Sequence, residues 1–180
     1  MSGASKSDRV LTSVIWIVLI LALFQGALVV YRELGPRNSL TTFTLPADVP
    51  DWRGQQLPEL SHLLPVEHAS YQNELSNALT IIAFLRTSCP ACTEAKPALE
   101  ALHKSNPTTG VIGVFAEPKE AVHDYQPAYP SFVDPNGLTF EAVGVKSIPM
   151  FLIVRDGTVV EQFVGWSPAV GNRLHALVRR

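Results

Sequence analysis

Cysteine is nearly absent from this chain: 180 residues hold two, Cys89 and Cys92. A small secreted domain stapled by disulfides carries more of them in more dispersed positions, so that class is excluded. A pair this close fits a redox dithiol or half of a metal site. Excess charge is also missing. Fourteen Lys and Arg against 16 Asp and Glu leave a formal charge of −2, which points away from nucleic acid and acidic surfaces as partners. There is no internal repeat, and the 14 prolines are spread along the chain rather than gathered in a low-complexity tract. The length suffices for one domain with a sizeable core plus an appendage.

Charge is wholly missing between Arg9 and Arg32. The run over 10–31 is dominated by Leu, Ile, Val, Ala and Phe. As a helix rising about 1.5 Å per residue it reaches roughly 30 Å, the thickness of a bilayer's hydrocarbon core. It is longer than the 7–15 apolar residues of a cleaved signal peptide, and no Ala-x-Ala-like site follows around Phe24–Ala27. No cysteine stands at its end for lipid attachment. The run therefore predicts an uncleaved transmembrane anchor, with Tyr31 as an interfacial residue. The expected organisation is a cytoplasmic tail (1–9), the anchor (10–31), a linker (32–40) and one folded domain (41–180). Lys6 and Arg9 on one side are matched by Arg32 and Arg37 on the other, so flanking charge sets little orientation. The redox chemistry below favours the folded domain lying in the periplasm or otherwise outside the cell membrane.

Residues 33–78 are proline-punctuated and loop-rich, with an edge strand expected at Thr41–Leu45 and another short element at Leu57–Leu64. From Leu79 the pattern is clear. LTIIAFL (79–85), Gly110–Phe115 and MFLIV (150–154) are apolar runs of strand length, suited to strands buried on both faces. The residues after Cys89 form a helix in which Ala95, Leu99 and Leu102 share a face and Pro97 should impose a kink. Pro118–Tyr125 reads as a weak helix, Ser131–Val133 as a short strand, 134–137 as a turn and Leu138–Val143 as a short helix. Asp156–Gly157 marks a hairpin into TVVEQFV (158–164). Ser167 caps a last helix carrying Pro168 in its first turn. The order implies an α/β domain, a mixed sheet flanked by helices on both faces.

The dithiol leads from a buried strand into a helix, and that position has a chemical use. Free N–H groups and the positive end of the helix dipole stabilise a thiolate at Cys89. Pro90 suits the first helical position, where no intrahelical bond is lost. Pro90–Ala91 places no charge or histidine between the cysteines. Cys92, one turn on, is placed to attack a mixed disulfide formed at Cys89. The assigned roles are Cys89 as nucleophile and Cys92 as resolving thiol. A zinc site needs two more ligands, and His62, His68, His103, His123 and His175 show no ligand spacing to the pair, so no metal or other cofactor is expected. A structural disulfide closing so short a loop would constrain the unfolded chain little. Thr87 suggests a peroxidatic site, but Ile82 and Arg86 occupy the positions where the Pro-x-x-x-Thr-x-x-Cys pattern needs proline and threonine.

These residues resemble the thioredoxin superfamily, and within it the TlpA/ResA/CcmG-like membrane-anchored oxidoreductases. The resemblance covers Leu79–Arg180, with a weaker fit from about Thr41. CPAC follows an apolar strand, with Pro97 eight residues after its first cysteine. GVKSIPMFLIVRDGTVVEQFVGW (144–166) is similar to the family's loop, cis-proline, strand, turn and strand. YPSFVDPNGLTFEAVGV (129–145) is similar to the segment inserted before it. The TSCPAC segment is also similar to MauD-type proteins, linked to methylamine dehydrogenase maturation. The resemblance implies a thioredoxin-like fold over 41–180 and a cis Ile148–Pro149 bond beside the dithiol, where the backbone of Ile148 pairs with an extended substrate. It also implies protein thiol or disulfide substrates, a reducing role as in cytochrome c maturation, and a membrane electron donor for re-reduction. Two departures stand out: Ala83 occupies the place where a buried acid that moves protons for the resolving thiol is usual, and Ser88 replaces the tryptophan that usually precedes the first cysteine. Glu94 and water are the remaining candidates for moving a proton, although Glu94 reads chiefly as a solvated helix residue and Lys96 as a surface one. The competing class is a tethered, non-catalytic thioredoxin-like binding module.

Overall fold

The computed structural model describes residues 44–67 and 70–179, together with Trp16 and Gln25. Apart from those two positions, the predicted tail, anchor and linker lie outside the described residues. No helix among the described residues is long and apolar enough to cross a membrane. Phe43–Arg180 form one compact unit.

Its centre is a six-stranded mixed sheet. The strands are β1 (Leu64–Pro65), β2 (Leu79–Leu85), β3 (Thr109–Phe115), β4 (Ser131–Val133), β5 (Met150–Arg155) and β6 (Thr158–Val164), in the order β1-β4-β3-β2-β5-β6. β2, β3 and β4 run parallel to one another, while β5, β6 and β1 pair antiparallel with their neighbours. All seven residues of β2 and of β3 are buried, which is why both read as unbroken apolar runs. Alternate residues face opposite cores. Ile81, Ala83 and Leu85 join Cys92, Ala95, Leu99 and Leu102 of helix α2 (Pro90–Ser105) and Val170 and Leu174 of helix α5 (Pro168–Val178). Ile82 and Phe84 face Val49, Leu60 and Leu63 of the N-terminal segment and Val143 of helix α4 (Leu138–Val143). Helix α3 (Lys119–Tyr125) adds Val122 to the first core.

The register fixes where the loops emerge. Leu79 pairs with Thr109 and Leu85 with Phe115, so β2 and β3 end level. The segments leaving them, 86–89 and 116–117, start side by side at the carboxyl edge of the parallel strands, where α/β folds place their sites. The β5–β6 hairpin turns through Asp156 (φ 49°) and Gly157 (φ 76°), the pair of positive angles that a tight two-residue turn requires.

The region before β2 departs from expectation. Of the edge strand expected at 41–45, residues 41–43 lie outside the described residues and 44–45 are not a strand, and 57–64 form no continuous element. Leu64–Pro65 pair with β4, and Gln56 makes one isolated bridge to Thr158. Pro58 and Pro65 lack the N–H groups a longer ladder needs. Instead, loop backbone holds the β6 side piecemeal, Gly54 N–H donating to Val159 C=O at 2.8 Å and Leu57 N–H to Gly157 C=O at 2.8 Å. Buried Gln162 completes the attachment, accepting from Trp52 N–H at 2.8 Å and donating to Pro50 C=O at 3.0 Å. A short helix, α1 (Tyr71–Leu75), stands where only loop was expected. The Glu74 carbonyl accepts from Thr80 Oγ1 at 2.8 Å and from Asn77 Nδ2 at 2.9 Å, tying α1 to β2.

Candidate active site

Cys89 is the N-cap of α2, with extended backbone (φ −89°, ψ 118°), and Pro90 is the first helical residue. The chain therefore turns from strand β2 into α2 at the sulfur. The Cys92 N–H donates to Cys89 Sγ at 3.3 Å, as one of the helix's first donors, which lack an acceptor four residues back within the helix. The first carbonyl of the helix, that of Cys89, accepts from Cys92 N–H at 3.1 Å and from Thr93 N–H at 3.1 Å. Both cysteines are free thiols: Cys89 is half-buried and Cys92 wholly buried. Burial pushes the Cys92 thiol up to about 12. Its hydrogen bond with Cys89 and the negative charges of Cys89 and Glu117 act in the same direction, against a backbone hydrogen bond at Arg86. The pair is thus asymmetric: one sulfur reaches the surface and the other is stored protonated beneath it.

Two groups that the sequence reading did not assign stand beside the dithiol. Glu117, just past the end of β3, accepts from Thr87 N–H at 2.9 Å (Oε2) and 3.1 Å (Oε1), and from Thr87 Oγ1 at 3.0 Å. This clamps the acid to the loop leading into Cys89. The only sequence signal for it is an acidic residue two positions past the end of a buried parallel strand, at the edge where sites collect. Tyr125, the last residue of α3, donates its hydroxyl to the Cys92 carbonyl at 3.0 Å. Burial, and then the charge of Cys92, pushes the Tyr125 phenol up to about 12.

Lys96, expected to be a surface residue, instead packs inward. Its Nζ donates to the Tyr125 carbonyl at 2.8 Å, lies 4.9 Å from the centre of that ring and pairs with Glu100 at 3.6 Å. Helix α2 runs through Pro97 without interruption. Glu94 projects into solvent from α2 while Cys92 points into the core. Ala83 is buried in the same core as Cys92 and supplies no acid there.

The Ile148–Pro149 bond is cis. Pro149 is buried, and its carbonyl accepts from Gly165 N–H at 2.7 Å at the start of the β5–β6 ladder. Ile148, Cys89, Tyr125 and Trp166 are partly buried and pack on one hydrophobic core. Thus the rim of the core that encloses Cys92 presents the accessible sulfur, an apolar side chain before a cis proline, and two aromatic rings. Ala91 is half-buried in the first turn of α2 and Pro90 is exposed.

No family model matches the chain. The proteins called thioredoxin in Listeria monocytogenes serovar 1/2a and Listeria innocua serovar 6a are each 31% identical to it over 103 residues, 57% of this chain and 84% of theirs. Among solved structures, a protein from Chlorobium tepidum provisionally assigned as a thiol:disulfide interchange protein DsbE superposes with a TM-score of 0.64. It is 20% identical, over 71% of this chain and 95% of its own. MTB dsbF, in its mixed oxidized and reduced forms, gives 0.57 at 18% identity, over 73% of this chain and 97% of its own. At such identities the structural likeness establishes the fold: a thioredoxin-like mixed sheet flanked by helices.

Proposed function

Since this chain belongs to the thioredoxin family and is a thiol–disulfide oxidoreductase, we propose that it is anchored in the cell membrane by residues 10–31 and reduces protein disulfides outside the cytoplasm through Cys89 and Cys92. The observation that carries the chemistry is the asymmetry of the pair. Cys89 Sγ, partly exposed at the start of α2 with an N–H directed at it, attacks a substrate disulfide and releases one substrate thiol. Cys92 then displaces the second sulfur from the mixed disulfide, leaving the Cys89–Cys92 disulfide and a fully reduced substrate. The backbone at Ile148 takes the extended segment of the substrate by strand addition.

The charge-free run over 10–31 supports the anchor, since its length matches a bilayer. A neutral Pro90–Ala91 insert supports a reductant, because nothing between the cysteines stabilises the thiolate strongly enough for a strong oxidant. A membrane electron donor returns the pair to the dithiol, and the client is a secreted protein under maturation, of which an apocytochrome c is the leading case. In-cell trapping with a thiol alkylator tests the direction: a pair found mostly reduced in the steady state supports it, and one found mostly oxidised overturns it.

A further inference from the structure

The two-step reaction leaves one requirement unmet. Cys92 must lose its proton before it can attack the mixed disulfide, yet burial holds it protonated. In the core beneath α2, Ala83 is apolar and offers no base, and Glu94 faces solvent. Among the described residues, the acidic groups coupled electrostatically to Cys92 are Cys89 on its own helix, Glu117 after β3, Tyr125 at the end of α3 and Tyr129 before β4. Both phenols are pushed upward by burial, so neither is a base at neutral pH. Cys89 is consumed in the mixed disulfide. Glu117 remains. It is half-buried, and both its oxygens are held by Thr87, two residues before the nucleophile.

Building on the oxidoreductase reading above, we propose that Glu117, held by Thr87, is the proton acceptor for Cys92 in the resolving step. The Cys92 S–H proton passes to the Glu117 carboxylate, through water where the two do not touch. The Cys92 thiolate forms the bond to Cys89 Sγ as the Cys89–substrate S–S bond breaks. The substrate sulfur leaves as a thiolate, which takes a proton from Glu117 or from solvent. The dithiol loses two electrons and the substrate disulfide gains them, so no further reactant is needed. The Thr87 N–H and hydroxyl both donate to the carboxylate and so fix its position.

The test is single-turnover reaction of the reduced full chain with excess protein disulfide, quenched in acid, comparing wild type with Glu117→Gln, Glu117→Asp and Thr87→Val. General base catalysis contributes typically 10²–10⁴-fold. Glu117→Gln is therefore expected to form the mixed disulfide at the wild-type rate but to resolve it about 100-fold more slowly near pH 7. That deficit should shrink as pH rises and hydroxide takes over. Glu117→Asp should restore part of the rate, and Thr87→Val, which loosens the acid without removing it, should slow resolution less than Gln does. Resolution at the wild-type rate or faster in Glu117→Gln overturns the proposal, since the carboxylate then acts only as a charge disfavouring the thiolate. A deficit equal at every pH also overturns it, because it marks a structural role. If the wild type forms neither the mixed disulfide nor the Cys89–Cys92 disulfide, the oxidoreductase reading falls as well, an outcome distinct from the other two.

Discussion

The hydroxyl of Tyr125 donates to the carbonyl of Cys92 at 3.0 Å, across 33 residues of chain. That bond fastens the end of α3 to the first turn of α2, immediately behind the dithiol. Lys96 repeats the link in the other direction, from α2 to the Tyr125 carbonyl. Tyr125→Phe removes only the donor and leaves the ring on Phe115 and under Lys96. The expected cost is about 1 kcal/mol, or a fall in Tm of about 4 °C, read by thermal unfolding of the reduced protein. Phe should retain most of the turnover, because the hydroxyl contacts no reacting sulfur.

Gly110 tests how α1 is seated. A Cβ at this position of β3 would lie 2.6 Å from the Glu74 carbonyl and 2.9 Å from Thr80 Oγ1. Those are the two atoms joined in the bond that ties α1 to β2. Because the first clash is with backbone, Gly110→Ala should destabilise the domain by about 2 kcal/mol, measured by denaturant unfolding.

Cys92 gives the reduced protein a specific pH dependence. Its pKa is raised from 9.0 to about 12, chiefly by burial. The folded state therefore holds this proton more tightly than the unfolded chain does. The resulting stabilisation is complete below about pH 9 and is lost as pH rises toward about 12, at up to about 1.4 kcal/mol per pH unit. Tyr125, shifted upward from 10.0, adds to the decline only above pH 10. Between pH 9 and 10, reduced wild type should lose about 1 kcal/mol more stability than Cys92→Ala. Parallel unfolding curves across that interval would contradict the burial argument.

Much of the fold was legible because its central strands are buried on both faces. β2, β3 and β5 announce themselves as unbroken apolar runs, and Asp156–Gly157 supplies the positive φ angles of the hairpin. The segment before β2 was not legible, since its attachment runs through Trp52, Gln162 and single backbone bonds to β6, which leave no periodic trace. Helix α1, five residues long, is too short to show a helical period. In the site, Cys89, Pro90 and Cys92 are adjacent in sequence and readable together. Glu117 was missed because it meets Thr87 only through the level ends of two parallel strands, 30 residues apart. Lys96 was misjudged for a similar reason: its partners lie on α3.

Replacing the resolving thiol separates the two chemical steps. With Cys92→Ser, Cys89 still attacks, but nothing displaces the substrate sulfur. The variant should accumulate one substrate per chain through a disulfide at Cys89, visible as a mass increase that a reductant reverses. Cys89→Ser should show no such adduct and should lose essentially all turnover.

Electrons leave the protein through this one pair, and alkylation mapping reads that directly. Reduced full-length protein is mixed with an equimolar protein disulfide, quenched with an alkylating reagent, and its cysteine peptides are mapped by mass spectrometry. The predicted result is that Cys89 and Cys92 become protected together, joined to each other, with one substrate disulfide reduced per chain oxidised. Substrate reduction while both cysteines remain open to alkylation, or equal reduction by Cys89→Ser, would contradict it.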